Sequence, residues 1–414
     1  MPEGGRHRVV IAGGGIAGLE ALLALTDLAG EWVQTTVVAP TDEFVYKPLA
    51  VEEPFAPGTV ERRDLAPIVE GEGARFLRQR VTAVRPDRHL CELADGSTLE
   101  YDAVVVCVGA KPRAAFAHAE TLRTSGEPID VDGLLRQAAE HSSQRLALLL
   151  PPRGSWPLPI YEFALLAARR ANDLGLDVRS MVVTPESRPL IVFGPAASEA
   201  VAALLDARGI EVIAGKRAEE RANGEIHLIP GDERLEAGAA VALPALQGPA
   251  IARLPADEHG FIPIDEHCRV RGHDDVYAAG DGTNFPIKHG GLGTEQADAA
   301  AESIAAAAGA DVEPRPFRPV IRGKLIAGEE SLSLTAPLSG GAGEGQASLD
   351  YLWWPPHKVA GRYLAPYLAG RMPHEQMTPP PHGLDVEVEL PHGWHREPMA
   401  LDPYGSPDLP AGGR

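Results

Sequence analysis

The sequence is poor in the features that mark several classes of protein. It has only three cysteines in 414 residues, too few for the disulfide framework of a small secreted domain. No apolar run approaches the roughly 18 residues that a membrane-spanning helix needs. The formal net charge of -20 argues against general binding to nucleic acid or to an anionic membrane. With hydrophobic residues at 44 %, we expect a soluble globular protein of two or three domains, located in the cytoplasm.

A glycine cluster near the start of the chain carries the first functional signal. Val9, Val10 and Ile11 favour a strand, and an apolar helical pattern follows from Leu19 to Leu28. Between them, the G-x-G-x-x-G spacing is formed by Gly13, Gly15 and Gly18, with Ile16 and Ala17 inside it. This order of strand, tight turn and helix places backbone N–H groups where a pyrophosphate binds. We interpret the segment as a dinucleotide-binding turn rather than a structural glycine turn.

The second strand of this unit departs from the usual nucleotide-binding pattern. An Asp or Glu at its end commonly binds the adenosine ribose, but here the position is Ala39, followed by Pro40. Ribose recognition must then come from the backbone or from Thr41, Asp42 or Glu43. The next segment, Phe44 to Leu49, predicts either a loop over the cofactor or an ordinary surface loop.

A run of short strand patterns follows. We expect an antiparallel meander from four segments, ending with a hairpin turn at Asp95-Gly96: Ala74–Leu77, Val81–Val84, Leu90–Leu93 and Ser97–Tyr101. The apolar segment from Asp102 to Ala110 predicts a buried parallel strand. Cys107 lies within it, and we interpret Cys107 as a buried structural thiol.

Together, the glycine turn, the Tyr101–Ala110 strand and the segment from Val276 to Asp281 resemble the flavoproteins with two dinucleotide-binding domains. The Phe44–Leu49 segment resembles the sulfide:quinone oxidoreductase and type II NADH dehydrogenase branch of that family. The resemblance implies FAD as cofactor, an Asp281 contact with the ribityl chain, and a helix start at 290–296 near the flavin. The residues that we expect to bind the cofactor are Gly13, Gly15, Ile16, Ala17, Gly18, Lys47, Gly109, Gly280, Asp281 and Gly291.

Residues 115–240 read as a second, inserted α/β unit. The predicted strands are Leu146–Leu150 and Arg179–Val183, the predicted helices are Ile160–Leu174 and Ala197–Gly209, and the segment Ala239–Pro244 is expected to return to the first domain. The family resemblance implies NAD(P)H binding here. However, the turn at 151–159 has four prolines and one glycine, and proline supplies no N–H group. The sequence therefore disfavours NAD(P)H in the usual mode.

The catalytic residues are not identified by any motif. If the family geometry holds, Trp156, Tyr161 and Glu162 line the donor side. Lys288 and His289 precede the helix that starts at Gly290–Gly291, and they are either positive charges near the flavin or solvated surface residues. No cysteine pair has the spacing of a redox disulfide. Of the quinone motif of the type II NADH dehydrogenases, only Gln296 is in place.

The remainder of the chain is proline-rich. We predict a hairpin at 320–334 and a short helix at 360–369. The aromatic stretch around Trp353-Trp354 predicts either a packed subdomain, which we favour, or a peripheral membrane contact. Four late histidines lack metal-ligand spacing, so no metal site is expected: His374, His382, His392 and His395.

The expected fold class is α/β, with two Rossmann-like domains of the three-layer ββα FAD/NAD(P)-binding type and a small C-terminal α+β segment. The expected domains are 1–114 and 241–313 for FAD, 115–240 for the insert, 314–371 for the C-terminal subdomain and 372–414 for the tail. The expected function is an FAD-dependent oxidoreductase that works between a small-molecule donor and an acceptor such as a quinone. The alternatives are a non-catalytic flavin-binding sensor or partner-binding protein, and a strict NAD(P)H:quinone or sulfide:quinone oxidoreductase. A homodimer is compatible with the sequence.

Overall fold

Two five-stranded parallel sheets organise the molecule. The computed structural model describes residues 5–123, 126–151, 155–328, 331–337, 346–348, 352–353, 355 and 357–370. The helices in this part of the chain are α1 (Ile16–Ala29), α2 (Leu65–Gly71), α3 (Val131–Glu140), α4 (Leu158–Asp173), α5 (Pro195–Ala207), α6 (Gly290–Ala308) and α7 (Leu364–Ala369). Short 3-10 turns lie at Lys47–Leu49, Pro86–Arg88 and Ile191–Phe193.

The strands, in chain order, are β1 (His7–Ala12), β2 (Val33–Ala39), β3 (Glu43–Val45), β4 (Arg62–Asp64), β5 (Arg75–Arg78), β6 (Val81–Arg85), β7 (Leu90–Leu93), β8 (Thr98–Glu100), β9 (Ala103–Val106), β10 (Lys111–Arg113), β11 (Glu120–Thr121), β12 (Arg145–Leu149), β13 (Arg179–Val183), β14 (Glu211–Ile213), β15 (Arg217–Glu220), β16 (Ile226–Ile229), β17 (Glu233–Arg234), β18 (Ala239–Ala242), β19 (Ala245–Gln247), β20 (Val276–Ala278), β21 (Val320–Ile326), β22 (Ser331–Pro337) and β23 (Gln346–Ser348).

The first sheet has the order β20-β9-β1-β2-β5, and the second has the order β11-β18-β12-β13-β14. All neighbouring strands within each of these sheets are parallel. Their apolar strands, such as the fully buried β9, are covered on both faces, as parallel sheets require. Because all strands of the first sheet run in one direction, the segments that follow β1, β9 and β20 meet at one edge.

Helix α6 packs along α1 on the first sheet. The contact is close because the facing side chains are small: a Cβ added at Gly293 would lie 3.7 Å from the Cβ of Ala17. Ala297, Ala300 and Ala301 of α6 are fully buried. This packing brings the first turns of α1 and α6 side by side.

The structure corrects several expectations. β5 is not part of the meander: it pairs in parallel with β2, so the meander is only β6-β7-β8. β9 ends at Val106, so the buried Cys107 follows the strand instead of lying inside it. Phe44 lies in a short strand, β3, that pairs with β4.

The segment Ala239–Pro244 also differs from expectation. β18 lies in the second sheet between β11 and β12, and the chain does not yet return to the first sheet there. Helix α3 has no counterpart among the expected elements. The domain boundaries themselves stay predictions, and the tail at 372–414, Trp354 and residues 152–154 lie outside the described residues.

Candidate functional site

The turn between β1 and α1 forms an open backbone cradle. Gly13 has a φ of +124°, and a Cβ there would lie 2.2 Å from the carbonyl oxygen of Cys107. A Cβ at Gly18 would lie 2.0 Å from the carbonyl oxygen of Gly13. A Cβ at Gly15 would meet nothing within 4 Å. The first and third glycines therefore serve packing, whereas the second faces free space where a phosphate can approach.

Helix α1 begins directly at this cradle. Gly15 is its N-cap residue, and no side chain caps the helix there. The N–H groups of the first turn and the positive end of the helix dipole consequently face the open space beside Gly15. Ile16 and Ala17 supply two of these N–H groups. This arrangement suits the pyrophosphate of a dinucleotide.

The ends of β9 and β20 lie at the same edge of the sheet. Gly109 and Gly280 adopt positive φ values of +71° and +84°. A Cβ at Gly282 would lie 3.1 Å from the carbonyl oxygen of Gly109, and a Cβ at Gly280 would lie 3.3 Å from the Cβ of Ala17. The structure thus brings the predicted residues Gly109, Gly280 and Asp281 next to the cradle.

The start of α6 completes this edge. A Cβ at Gly290 would lie 3.4 Å from the Cδ1 of Ile16, so the first turns of the two helices meet. His289 is the N-cap residue, and its imidazole covers Gly291, where a Cβ would lie 2.9 Å from the ring. Two helix N-termini therefore direct their dipoles to one region, which favours a bound group of negative charge.

The charges of two lysines act on Asp281 in this region. Burial raises the pKa of its carboxyl group, and the charges of Lys288 and Lys47 act in the opposite direction. Lys288 is buried, whereas Lys47 is exposed. The Lys288 ammonium donates a hydrogen bond to the carbonyl oxygen of Thr283 and lies 3.7 Å from the centre of the Phe261 ring. Burial lowers the pKa of Lys288 to about 8.

Lys288 and His289 are therefore not solvated surface residues. Burial, together with the charges of Arg322 and Lys358, lowers the pKa of His289 to about 4, so its imidazole is neutral. The ring packs against Trp156, with the two centres 4.7 Å apart. Trp156 also contacts Phe193 edge to face at 5.5 Å. Of the expected donor-side residues, Trp156 thus lies beside the start of α6.

Gln296 has a structural role that sequence reasoning did not assign. Its Oε1 accepts a hydrogen bond from the N–H of Gly280 at 2.8 Å, and its Nε2 lies 3.4 Å from Thr283 Oγ1. The side chain is buried. Gln296 therefore holds the turn that presents Asp281.

The side chains of Tyr161 and Glu162 have different polar partners. The Tyr161 hydroxyl donates to Glu186 Oε2 at 2.5 Å. Glu162 forms a buried ion pair with Lys358 at 2.7 Å and accepts a hydrogen bond from the N–H of Ile326 at 2.9 Å. Both side chains are thus engaged in buried polar contacts, whereas Trp156 packs against His289.

Glu186 occupies a position of functional interest that sequence reasoning missed. It follows β13, the strand that comes after β12 and α4 in the inserted unit, where an acidic residue commonly binds the ribose of a dinucleotide. Its position just after a predicted strand was the available signal. Here it is fully buried under Tyr161, and burial raises its pKa to about 8. Helix α4 begins at Leu158 with proline on both sides of that residue. These residues do not fit NAD(P)H in the usual mode.

A C-terminal segment, residues 357–370, covers the meeting point of α1 and α6. A Cβ at Gly290 would lie 2.9 Å from a methyl group of Val359. The N–H of Val359 donates to the Tyr46 hydroxyl at 2.8 Å. Glu20 of α1 accepts hydrogen bonds from the N–H groups of Tyr363 and Leu364 at 2.8 and 2.7 Å, at the start of α7. We call this segment the strap.

The three cysteines are all buried and free. Burial raises the pKa of Cys91 and of Cys107 to about 12 each, and it raises that of Cys268 well above the usual range. None is available as a thiolate. Among the described residues, no helix is long and apolar enough to span a bilayer, and no group of three or more His, Cys, Asp or Glu residues could hold a metal ion.

The sequence is similar to a known protein family and to characterised proteins. The family model described as pyridine nucleotide-disulphide oxidoreductase matches residues 7–148 and 161–307. The alternative NAD(P)H-ubiquinone oxidoreductase C1 of Arabidopsis thaliana is 26 % identical over 70 % of this chain and 64 % of its own length. The type II NADH:quinone oxidoreductase of Mycobacterium tuberculosis is 23 % identical over 67 % of this chain and 66 % of its own length. This chain therefore spans slightly less than two thirds of either relative.

Among solved structures, the sulfide:quinone oxidoreductase of Aquifex aeolicus superposes with a TM-score of 0.72. The match covers 83 % of this chain and 87 % of that chain at 19 % identity. At this level of identity, the similarity concerns the fold alone.

Proposed function

Because the chain belongs to the pyridine nucleotide-disulphide oxidoreductase family, we propose that it is an FAD-dependent oxidoreductase that carries electrons from a small-molecule donor to an acceptor such as a quinone. Membership confirms the resemblance seen in the sequence, and the two parallel sheets confirm the expected fold class. Donor, acceptor and location are part of the proposal. We place the protein in the cytoplasm, with a peripheral membrane contact as the alternative.

One observation carries the proposal: two helix N-termini, a glycine cradle and Asp281 converge at one edge of the first sheet. The open space beside Gly15 and the paired lysines around Asp281 suit a dinucleotide with a polar chain and a negative pyrophosphate. The residues present therefore fit FAD.

Each part of the site has a separate task in this proposal. The N–H groups at Gly15, Ile16 and Ala17 bind the pyrophosphate. Asp281 accepts hydrogen bonds from hydroxyl groups, and Gln296 keeps the turn of Asp281 in place. The α6 N-terminus, at Gly291, and the Lys288 ammonium supply positive potential to the ring system. When bound, FAD itself supplies the two-electron chemistry.

The described residues give less support to the two usual electron donors, a nicotinamide dinucleotide and sulfide. Glu186 is buried under Tyr161, and the sequence of the turn before α4 is proline-rich, so the described residues of the second unit offer NADH or NADPH no ordinary site. The three thiols are buried and protonated, which disfavours a cysteine-dependent sulfide reaction. These same observations favour the second candidate, a flavin-binding sensor or partner-binding protein without turnover.

Two relatives support the proposal of a quinone acceptor: one is an NAD(P)H-ubiquinone oxidoreductase and the other is an NADH:quinone oxidoreductase. Gln296 lends no support, because both ends of its amide are engaged with the Asp281 turn.

Anaerobic reduction of the purified protein tests the proposal. NADH, NADPH and sulfide are mixed separately with the protein, and bleaching of the flavin band is followed before and after addition of a soluble quinone. We expect dithionite to bleach the flavin band and the quinone to restore that band. We expect NADH and NADPH to bleach it slowly. A flavin that dithionite reduces but quinone does not reoxidise would favour the sensor.

A further inference from the structure

The adenosine end of the proposed dinucleotide site lacks its usual carboxylate. Residue 39, at the end of β2, is Ala39, and its Cβ lies 3.2 Å from where a Cβ at Gly14 would stand. The side chain of residue 39 therefore points at Gly14 in the cradle, and Leu65 packs there too, with its Cδ1 2.6 Å from the same Cβ position. In other chains the ribose-binding acid lies at this end of the strand. An alanine there leaves the ribose hydroxyls without an acceptor.

The neighbouring strand places an arginine beside this gap. β5 pairs with β2 in parallel, and Arg78 is the register partner of Ala39. Partners in register lie on the same face of a sheet. The N–H of Gln79 donates to the carbonyl oxygen of Ala39 at 2.9 Å, which fixes the end of β5 against the end of β2.

Arg78 in turn holds a carboxylate at this edge. Its Nη1 donates to Asp42 Oδ2 at 2.9 Å. The backbone of Asp42 is also fixed, because its carbonyl oxygen accepts a hydrogen bond from the N–H of Leu65 at 2.8 Å. Asp42 Oδ1 remains able to accept a further hydrogen bond. Both side chains stay more than half exposed, at 63 % for Arg78 and 59 % for Asp42.

We propose that Asp42, oriented by Arg78, binds the ribose 2′-hydroxyl of the adenosine half of the dinucleotide in place of the acid that position 39 lacks. The inference rests on the proposed dinucleotide site, but it concerns the adenosine half alone. A carboxylate accepts a hydrogen bond from a ribose hydroxyl, whereas an unpaired arginine in this place would instead favour a 2′-phosphate.

The two other candidate acceptors contact partners that do not lie on β5. Glu43 forms an ion pair with Arg62 at 3.1 Å across the β3–β4 hairpin. The Thr41 hydroxyl lies 3.4 Å from the carbonyl oxygen of Glu43 and is directed to its own turn. Asp42 is therefore the carboxylate that Arg78, at the end of β5, holds beside the end of β2.

Nucleotide fragments test the inference without the flavin. The full chain is freed of bound nucleotide, and the Kd values of ADP and 2′-deoxy-ADP are measured by calorimetry. We expect wild type to bind ADP more tightly by about tenfold, near the low end of what a hydrogen bond to a charged group contributes. Asp42→Asn should reduce that ratio strongly, and Arg78→Gln should reduce it in part.

The matched control is Glu43→Gln, which removes the exposed carboxylate of the next residue, at the start of β3. It should leave the preference for ADP unchanged. Equal binding of ADP and 2′-deoxy-ADP by wild type would overturn the inference, and so would tighter binding of 2′,5′-ADP than of ADP. If ADP binds as expected but FAD does not bind, the proposed flavin function fails while the assignment of Asp42 stands.

Discussion

Lys288 is a buried cation that lowers the stability of the folded protein. Its pKa falls from the usual 10.5 to about 8 because burial disfavours the charged form. Between these two pH values the unfolded chain binds more protons than the folded chain, so the free energy of unfolding rises with pH over that range. A buried residue that is costly in this way and lies near the charge of Asp281 is a candidate for a functional role, and we propose that role for Lys288.

Replacing Lys288 by methionine tests this assignment. In flavin-free protein we expect Lys288→Met to raise the free energy of unfolding at pH 7 by about 1 kcal/mol and to remove the rise above pH 8. In the flavin-loaded protein, the reduction potential should fall by on the order of 30 mV, because a positive charge near the reduced ring is lost. Urea denaturation across pH and spectroelectrochemistry measure the two effects.

The matched control for this variant is Lys216→Met, which removes a lysine that is paired with Glu233 far from the site. It should leave both the pH dependence and the potential as in wild type. A Lys288→Met protein that is less stable at pH 7 and has an unchanged potential would contradict the assignment.

The ion pair between Glu162 and Lys358 joins α4 to the strap. Both side chains are buried, and the pair spans 196 residues of sequence. Loss of one partner leaves the other charge buried without compensation. We expect Glu162→Leu alone to lower the free energy of unfolding by about 3 kcal/mol, and Lys358→Met in the same chain to restore most of it.

A double-mutant cycle by thermal unfolding measures this coupling. The exposed pair of Arg234 and Glu236 serves as comparison, since pairs of that kind contribute at most about 1 kcal/mol. Additive losses in the double variant Glu162→Leu/Lys358→Met would show that the two residues act independently.

The three glycines of the cradle have two different roles, backbone packing and ligand access. Gly13 and Gly18 allow backbone segments to approach, whereas Gly15 leaves space for a ligand. Gly15→Ala should keep the free energy of unfolding of the flavin-free protein within about 0.5 kcal/mol and weaken FAD binding roughly tenfold or more. Gly13→Ala should destabilise the protein itself, because its positive φ and the Cys107 carbonyl both oppose a side chain.

Flavin fluorescence titration and thermal unfolding of both variants measure these effects. The control at another helix start is Gly133→Ala at the first turn of α3, where only the Asp130 cap is disturbed. Unchanged FAD affinity in Gly15→Ala would remove the cradle from the proposed site.

The strand-turn-helix start of the chain could be predicted because all of its determinants are local. The spacing of Gly13, Gly15 and Gly18 and the apolar runs around them lie within one short segment. The strap could not be predicted, because Tyr46, Glu20 and Glu162 hold it through contacts that join distant parts of the chain. Periodicity carries no information about such pairs.

The sequence likewise does not predict which strands pair with each other. The segment of β5 has the pattern of a short strand, but nothing local distinguishes an antiparallel partner from β2. For the same reason, the sequence predicts a return to the first domain at Ala239–Pro244, whereas β18 pairs within the second sheet. The position of Asp281 was predictable only through the family resemblance, and the roles of Gln296 and Glu186 depend on hydrogen bonds that a sequence does not display.

All three thiols of the molecule are buried away from solvent, which is unlike the exposed, electropositive setting of a reactive cysteine. We expect iodoacetamide to leave Cys91, Cys107 and Cys268 unmodified in the native protein at neutral pH, because all three are buried and protonated. Mass spectrometry before and after denaturation counts the modified thiols. Rapid modification of one cysteine in the native protein would reopen a thiol mechanism.

The central claim, an FAD site at the edge where α1, α6 and Asp281 meet, is tested most directly by the nucleotide that the purified protein releases. The protein is denatured, and the released small molecule is identified by chromatography and mass and quantified against the chain. The account predicts one FAD per chain, with loss of the visible flavin band from the protein. Release of no flavin after growth and purification with added FAD, or release of a nicotinamide dinucleotide in its place, would contradict it.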